Sequence, residues 1–306
     1  MNESSSLFNM KESKKNNTIK KLLFYSSSLI NNSFPCIHTD KNLNIRNFVC
    51  SNLSSYWGKT YPTSSPGRKL SDLFWLTLPW ERIKEELNEI NVLDSGCGSG
   101  NYGERLSDWS LNRINRYTGL DVKKHDNWPV LKEKHPTFNF IECHISDIRQ
   151  YIENGANLFI SQSAIEHFEQ DLLYFQHLRD YILSYKKSVI QIHLFPSAQG
   201  LRLYGCHGIR QYTPRSISKI TRLFSNFSYA VLYNLGGKMC NDLHYEFITR
   251  PLMKNLGDYR NLKREEYDKG LFAAIEQDAR EPSKKVSSFY ALVVHSYYNK
   301  KIFLQE

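Results

Sequence analysis

Asp94-Ser-Gly-Cys-Gly-Ser-Gly100 sets an acid two residues ahead of three glycines at alternate positions, Gly96, Gly98 and Gly100. Such a turn lets a ligand approach the backbone, because no Cβ stands in the way. The helical pattern behind it, with Leu106 and Trp109 on one face, offers unpaired N–H groups at its start. Two ligand classes use a turn of this kind. Gly98-Ser-Gly-Asn-Tyr-Gly103 spells the dinucleotide pattern G-x-G-x-x-G. The preceding apolar run, Ile90 to Leu93, ends at Asp94, however, so the turn begins at Gly96 and reads D-x-G-x-G-x-G. Asp121 ends a second strand pattern about 20 residues on, where a carboxylate can accept two hydrogen bonds from a ribose diol. Glu166-His167 follows a fourth strand pattern, and an imidazole titrating near neutral pH can act as a general base. Farther on, Gly205 and Gly208 bracket Cys206 and His207, with Arg210 and Tyr212 beside them. An arginine there can grip a phosphate or carboxylate through two hydrogen bonds.

The pattern D-x-G-x-G-x-G resembles motif I of the class I S-adenosylmethionine (SAM)-dependent methyltransferases. SAM carries a zwitterionic amino acid, a sulfonium and a nucleoside, so an acid at the strand end has something cationic to meet. The resemblance implies that Asp94, Gly96, Cys97, Gly98 and Gly100 border the cofactor. It makes Asp121 the ribose-binding acid, with Val122 next to it. Where the family usually has an acid for the adenine amino group, this chain has His144, followed by the Ile145 N–H; Asp147 is the other residue that could reach in. Phe159-Ile-Ser-Gln-Ser-Ala-Ile-Glu-His-Phe168 resembles motif IV of small-molecule methyltransferases, where strand 4 runs into an (L/I)-E-H turn. Gln162 and Ser163 would then border the methionine part of SAM, and Glu166 and His167 the transferring methyl.

Similar turns in ubiquinone-pathway O-methyltransferases contribute to a metal site. Ser163 stands where its further acid would be, so no metal is expected. The segment Leu203–Tyr212 looks like loops of methyltransferases from polysaccharide gene sets, which makes Arg210 and Tyr212 expected acceptor-binding residues and His207 a second candidate base. Tyr56-Trp57-Gly58 and Thr60-Tyr61 are read as a lid, with Tyr61 touching the acceptor. The resemblance covers residues 88–237 and 286–297, roughly half of the chain.

The elements that must position these residues alternate. Strands are expected at 90–95, 116–122, 138–145, 156–163, 188–195 and 227–235, and helices at 101–112, 128–134, 146–153, 167–186 and 213–225. Phe168, Leu172, Phe175, Leu178 and Ile182 recur every three or four residues, as an amphipathic helix requires. Residues 238–285 break the alternation with a charged, largely helical insertion, and Ser287–Ser296 reads as a last strand pairing antiparallel. The fold class expected is α/β: a doubly wound, Rossmann-like sheet of seven strands with the last one antiparallel. Residues 1–34 are read as a mobile basic arm. Residues 35–87 form a lid or substrate segment that is irregular up to about 70, with Pro62 and Ser65-Pro-Gly-Arg68 breaking any helix. The SAM-binding core is 88–237 with 286–306.

The chain has 306 residues, a net charge of +9 and a pI near 9.1, with the basic residues spread and no long Lys/Arg block. The basic balance admits polyanions but fits a solvated surface as well. The six cysteines form no C-x-x-C pair, which argues against zinc and thioredoxin-type chemistry and fits a reducing cytoplasm. No run approaches the roughly 20 apolar residues that cross a bilayer, although Lys20–Ile30 leaves room for contact with a membrane surface.

The function expected is SAM-dependent O-methylation of a sugar, glycan or other polar small molecule, with His167 or His207 as base and Glu166 orienting the imidazole. RNA methylation is the runner-up, motivated by the pI; the (D/N/S)-P-P-(Y/F/W) tetrad of nucleic-acid amino-methyltransferases is lacking. A non-catalytic SAM-fold partner protein and an NAD(P)-dependent oxidoreductase are the more distant readings.

Overall fold

From Ile90 onward, short apolar runs are spaced by amphipathic ones, and each run becomes a strand of a single sheet. The computed structural model describes residues 3–8, 18–144, 147–152, 155–282 and 286–304. Helix α1 (Thr18–Asn32), strand β1 (Leu43–Asn47) and helices α2 (Leu53–Trp57), α3 (Pro66–Leu76) and α4 (Trp80–Leu87) precede the alternating part. Then come β2 (Ile90–Ser95), α5 (Asn101–Trp109), β3 (Ile114–Asp121), α6 (Asn127–Lys134), β4 (Phe138–Glu142), α7 (Arg149–Ile152) and β5 (Leu158–Gln162). A 3-10 turn (Ile165–His167) leads to α8 (Asp171–Tyr185), β6 (Val189–Pro196), α9 (Gly200–Tyr204), α10 (Pro214–Thr221) and β7 (Ser228–Leu235). Helix α11 (Lys238–His244), a π turn (Tyr245–Thr249), α12 (Arg250–Met253), α13 (Tyr259–Leu262) and α14 (Arg264–Arg280) separate β7 from β8 (Phe289–Ser296).

The strand order is β1-β7-β8-β6-β5-β2-β3-β4. All neighbours are parallel except β8, which runs antiparallel to both β6 and β7. The chain leaves β2 toward β3 and β4, then returns to the other side of β2 with β5. That reversal opens a crevice at the carboxyl ends of β2 and β5, where open α/β sheets bind ligands. Helices cover both faces. Val92, Ile160, Ile192, Val231 and Val293 pack with α3, α4 and α14 on one side, and Phe159, Phe195, Leu232 and Leu292 with α8 and α10 on the other. Strands buried on both faces read as continuous apolar runs, as these do.

Three expectations are corrected. Among the described residues the sheet has eight strands, because Leu43–Asn47 adds to the edge of β7 in parallel register, Leu43 opposite Ala230 and Asn47 opposite Asn234. A five-residue strand with two asparagines carries little pattern of its own; the pairing comes from the exposed edge it covers. Pro66 opens a helix instead of breaking one. It sits in the first turn of α3 behind an extended Ser65, where a missing N–H costs nothing. The N-terminal arm read as mobile is tied down where it is described: the Ser5 N–H and hydroxyl donate to Asp171 at 2.8 and 2.5 Å, and the Glu3 carbonyl accepts from the Leu172 N–H.

The insertion helices are locked by one carboxylate. Asp278 of α14 accepts from the Gly237, Met239 and Cys240 N–H groups at 2.7–3.0 Å, satisfying the open start of α11. Tyr267 of α14 donates to the Ser64 carbonyl at 2.7 Å, which fixes the insertion against the start of α3.

Candidate active site

The bend after β2 is held in place by its neighbour β3. The N–H groups of Gly96 and Cys97 donate to the Leu120 carbonyl at 2.8 and 2.9 Å, and the Gly98 N–H donates to Asp121 Oδ2 at 2.8 Å. Gly96 has φ +86°, and a Cβ there would lie 2.4 Å from that of Ala164, so no side chain fits. Gly98 has φ +54° and would meet nothing within 4 Å, because its outer side is the open cleft. Gly100 starts α5, packed on Phe140, and Cys97 lies against Gly119.

Asp94 is the most unusual group in the bend. It is buried, and one carboxylate oxygen accepts from the Tyr117 hydroxyl at 2.6 Å. The other, Oδ1, has no partner among the described residues although Asp94 lines the cleft. Burial raises its carboxyl to about 7, the Tyr117 bond opposing the rise and Asp121 adding to it. A buried carboxylate oxygen without a donor is costly, and a donor or cation in the cleft would relieve it. Asp121 stands at the end of β3, its second oxygen 3.3 Å from the Lys123 N–H and 3.9 Å from His125 Nε2. Val122 and His144 border the same cleft, exposed, with Cys143 behind them; Ile145 lies outside the described residues.

On the other side of the crevice, Gln162 ends β5. Its Oε1 accepts from the Trp75 indole at 2.9 Å, and its Nε2 approaches the Ser163 hydroxyl at 3.4 Å. Ser163 then takes a left-handed backbone, φ +52°, which a serine adopts only under constraint; its N–H is fixed on the Leu194 carbonyl at 2.8 Å. That kink turns the chain into the 3-10 turn carrying Glu166, buried, and His167, which lines the cleft. The loop after β6 closes on the same turn. Gly208 packs on the Glu166 side chain, the Ile209 N–H donates to the Glu166 carbonyl at 2.9 Å, and the His207 ring meets that of His167 edge-on at 4.8 Å. The ligand-capable atoms of Glu166, His167 and His207 lie within 4.8 Å of one another, a set that could hold a metal ion. The sequence disfavours a metal because Ser163 stands where a further acid would be, whereas in the structure the third group of the set, His207, comes from the loop after β6.

Arg210 and Tyr212, expected to grip an acceptor, do not face the cleft. Arg210 is only 2% exposed; its guanidinium donates to the carbonyls of Phe168 and Glu169 and to the hydroxyls of Ser4 and Ser6, 3.7 Å from Asp171. Tyr212 is buried and donates to Asp171 at 2.9 Å. Arg210 holds the N-terminal segment at Ser4 and Ser6, and Tyr212 braces Asp171, the carboxylate on which Ser5 sits. Tyr56 and Trp57, read as part of a lid, do not line the cleft and are partly buried against the core. Trp57 donates to Asp268 of α14 at 3.0 Å and packs on Phe272. Tyr61 does border the cleft, 53% exposed, with the Arg105 guanidinium 4.9 Å over its ring.

The cleft's own cations come from residues that the sequence reading passed over. Arg68 of α3, Arg105 of α5 and Arg260 of α13 line it. Arg68 lies 5.0 Å over the Tyr102 ring, and the Tyr102 hydroxyl donates to buried Asp72 at 2.5 Å, which with burial pushes the phenol far up. The spacing of Arg68, Asp72 and Trp75 along one helix was the available signal. The whole cleft holds about 1130 Å³, beyond the range of a single small ligand.

No family model and no curated protein matches the chain. Solved structures similar to it include the plantazolicin methyltransferase BpumL in complex with SAH, at 11% identity over 79% of this chain and 88% of that one, TM-score 0.41. The Burkholderia thailandensis 1,6-didemethyltoxoflavin-N1-methyltransferase is 12% identical over 72% of this chain and 78% of its own, TM-score 0.37. The cyclopropane synthase MmaA2 from Mycobacterium tuberculosis is 13% identical over 70% and 82%, TM-score 0.39.

Proposed function

We propose that the chain is a SAM-dependent methyltransferase that methylates a hydroxyl of a polar small molecule, a sugar or glycan being the class favoured. The observation that carries this reading is Asp94 Oδ1, buried and unpartnered at the rim of the bend. An anionic dinucleotide would leave that oxygen unsatisfied or repel it, whereas the ammonium of a methionine moiety would pair with it. Open space over Gly98 gives the amino-acid end room, and Asp121 stands where a ribose diol would lie. Gln162, fixed by Trp75, and Ser163 border the middle of the cofactor.

SAM supplies an activated methyl on a sulfonium. The protein's own part is to align the acceptor and take its proton. Alignment can account for roughly 7–11 kcal/mol of barrier in ideal cases, and a base for roughly 10²–10⁴ in rate. His167 is the base in this reading, His207 borders it edge-on, and the buried Glu166 beside them orients the imidazole. Beside Tyr61, Arg68 and Arg105 take the place of Arg210 and Tyr212 as the acceptor's partners, with Arg260, forked on Asp258, at the edge of the cleft. The Arg68 and Arg105 guanidinium groups suit an acceptor bearing carboxylate or phosphate next to its hydroxyls.

The Glu166-His167-His207 set favours one specific alternative, in which the three are ligands of a divalent cation and not a base with its neighbours. Calorimetry with SAM against NAD(P) tests the cofactor: heat with SAM is expected, and heat only with NAD(P) would end the proposal. Label transfer from methyl-labelled SAM into fractionated extract then finds the acceptor. Repeating the transfer after chelation separates base from metal: unchanged turnover supports the imidazole, and a loss restored by cation supports the ligands.

A further inference from the structure

Helix α1 is turned inside out. It buries Phe24 and Ser28 against the protein, while Ile19, Leu22, Leu23, Leu29 and Ile30 are exposed. At 100° per residue these five fall on the side opposite Phe24 and Ser28. A surface helix ordinarily keeps its outer side polar. A second open apolar group lies on the insertion: Leu252, Met253, Leu256 and Leu262, at the turn between α12 and α13.

Both groups abut one segment. The Thr249 hydroxyl donates to the Leu203 carbonyl at 2.7 Å, and the His244 ring meets that of Tyr204 at 4.7 Å, so the insertion lies on α9. From the other side, the Tyr25 hydroxyl reaches Gly205, 3.1 Å from where a Cβ would stand. The next residues are Cys206 and His207, whose ring borders His167 in the cleft. The two apolar groups therefore flank the outer wall of the cleft.

Their surroundings are basic. Around α1 no Asp or Glu occurs between Lys20 and Thr39, and Arg215 and Arg222 donate to the Asn31 and His38 carbonyls; at the turn Arg250, Arg260 and Lys263 pair with Glu246, Asp258 and Glu266, which leaves Lys254 and Arg264 as its cations. A second copy of a chain with net charge +9 would bring like charge to such a surface. An anionic bilayer meets both features, taking the aliphatic side chains among its acyl chains and the cations at its headgroups. Among the described residues no helix is long and apolar enough to cross a membrane, so the contact is interfacial. We propose that the outer face of α1 and the 252–262 turn form a docking surface for an anionic lipid bilayer, which holds the mouth of the cleft at the headgroup layer. The proposal goes beyond the methyl-transfer reading and does not need it.

The test is sedimentation of the full chain with phosphatidylglycerol vesicles and with phosphatidylcholine vesicles. Phosphatidylglycerol is expected to carry the protein down, with binding reduced by salt, and phosphatidylcholine to carry down much less. The pair Leu22→Ser, Leu23→Ser is expected to weaken phosphatidylglycerol binding by about tenfold or more, with circular dichroism and SAM calorimetry unchanged. Met253→Ser with Leu256→Ser, on the second group, is expected to act in the same direction. No sedimentation with phosphatidylglycerol, equal binding to both lipids, or wild-type binding by both variants would overturn the proposal. So would size-exclusion showing a lipid-free dimer that the Leu22 and Leu23 changes dissolve, which would make the occupant a second copy.

Discussion

In the proposed reading the cofactor end of the cleft takes its polar groups from strand ends and one bend, within residues 94–144 and at Gln162 and Ser163. The acceptor end draws Tyr61 and Arg68 from before the core, His207 from beyond β6 and Arg260 from the insertion. In the first region a few adjacent residues determine the geometry. Gly96 and Cys97 donate to Leu120, Gly98 donates to Asp121, and the spacing of two strand ends sets the rest. In the second region each group is placed by a contact far away in sequence, such as Tyr267 on Ser64 or Ile209 on Glu166. The difference means that binding of the cofactor and recognition of the acceptor can be damaged separately, and the largest effects should come where the two regions meet.

His167 stands at that meeting point. His167→Ala is expected to lower kcat by roughly 10²–10⁴ while leaving SAM affinity within about threefold. Steady-state kinetics with the identified acceptor, paired with calorimetry, reads both quantities. If kcat barely moves, the reaction needs no base at this position, and N-methylation becomes the better reading. Next in size is Asp121→Ala, on the cofactor side alone. It removes the acceptor of the Gly98 N–H and, in the proposed reading, the carboxylate that meets the ribose diol, so the dissociation constant for SAM should rise about a hundredfold. A change under about threefold would mean the ribose lies elsewhere, and the two-region description would fail with it. Arg68→Gln tests the acceptor side. KM for the acceptor should rise roughly ten- to thirtyfold with SAM affinity unchanged. A loss of SAM affinity instead would show that Arg68 belongs to the cofactor end.

The same division explains what could be read from the residues alone. The alternation of strands and helices, the D-x-G-x-G-x-G bend and the strand-end position of Asp121 are local patterns, and the order with β8 between β6 and β7 follows from them once the resemblance is admitted. β1 was illegible because Leu43–Asn47 has two alternating apolar residues and an edge to cover, which only the folded sheet supplies. Arg210 was misread for the opposite reason. A charged residue next to glycines in a loop looks exposed, and nothing local shows that Ser4, Ser6 and Asp171 will close over it. Arg68 is hidden in the sequence by Pro66, which reads as a breaker although proline at the first position is a way to begin a helix.

The smallest expected effect is also the one that separates Asp94 from Asp121, two acids in one cleft. Asp94 has its carboxyl raised from 3.8 to about 7 by burial, so in the cofactor-free protein ionising it opposes folding. The folded state then holds a proton that the unfolded chain has lost, and stability should fall as pH rises from about 4 to about 7 and level off above. SAM binding should run the other way, because its ammonium prefers the ionised carboxylate. Between about pH 6 and 7, below the range where an α-amino group begins to lose its own proton, affinity should rise about fivefold. Asp94→Asn should flatten both profiles, since an amide does not titrate, whereas Asp121→Asn should weaken binding at every pH and leave the slope in place. Melting curves and calorimetry across that window measure both. A slope that survives in Asp94→Asn would assign the proton to another group and remove the ammonium from beside Asp94, and with it the feature that distinguishes this bend from a dinucleotide turn.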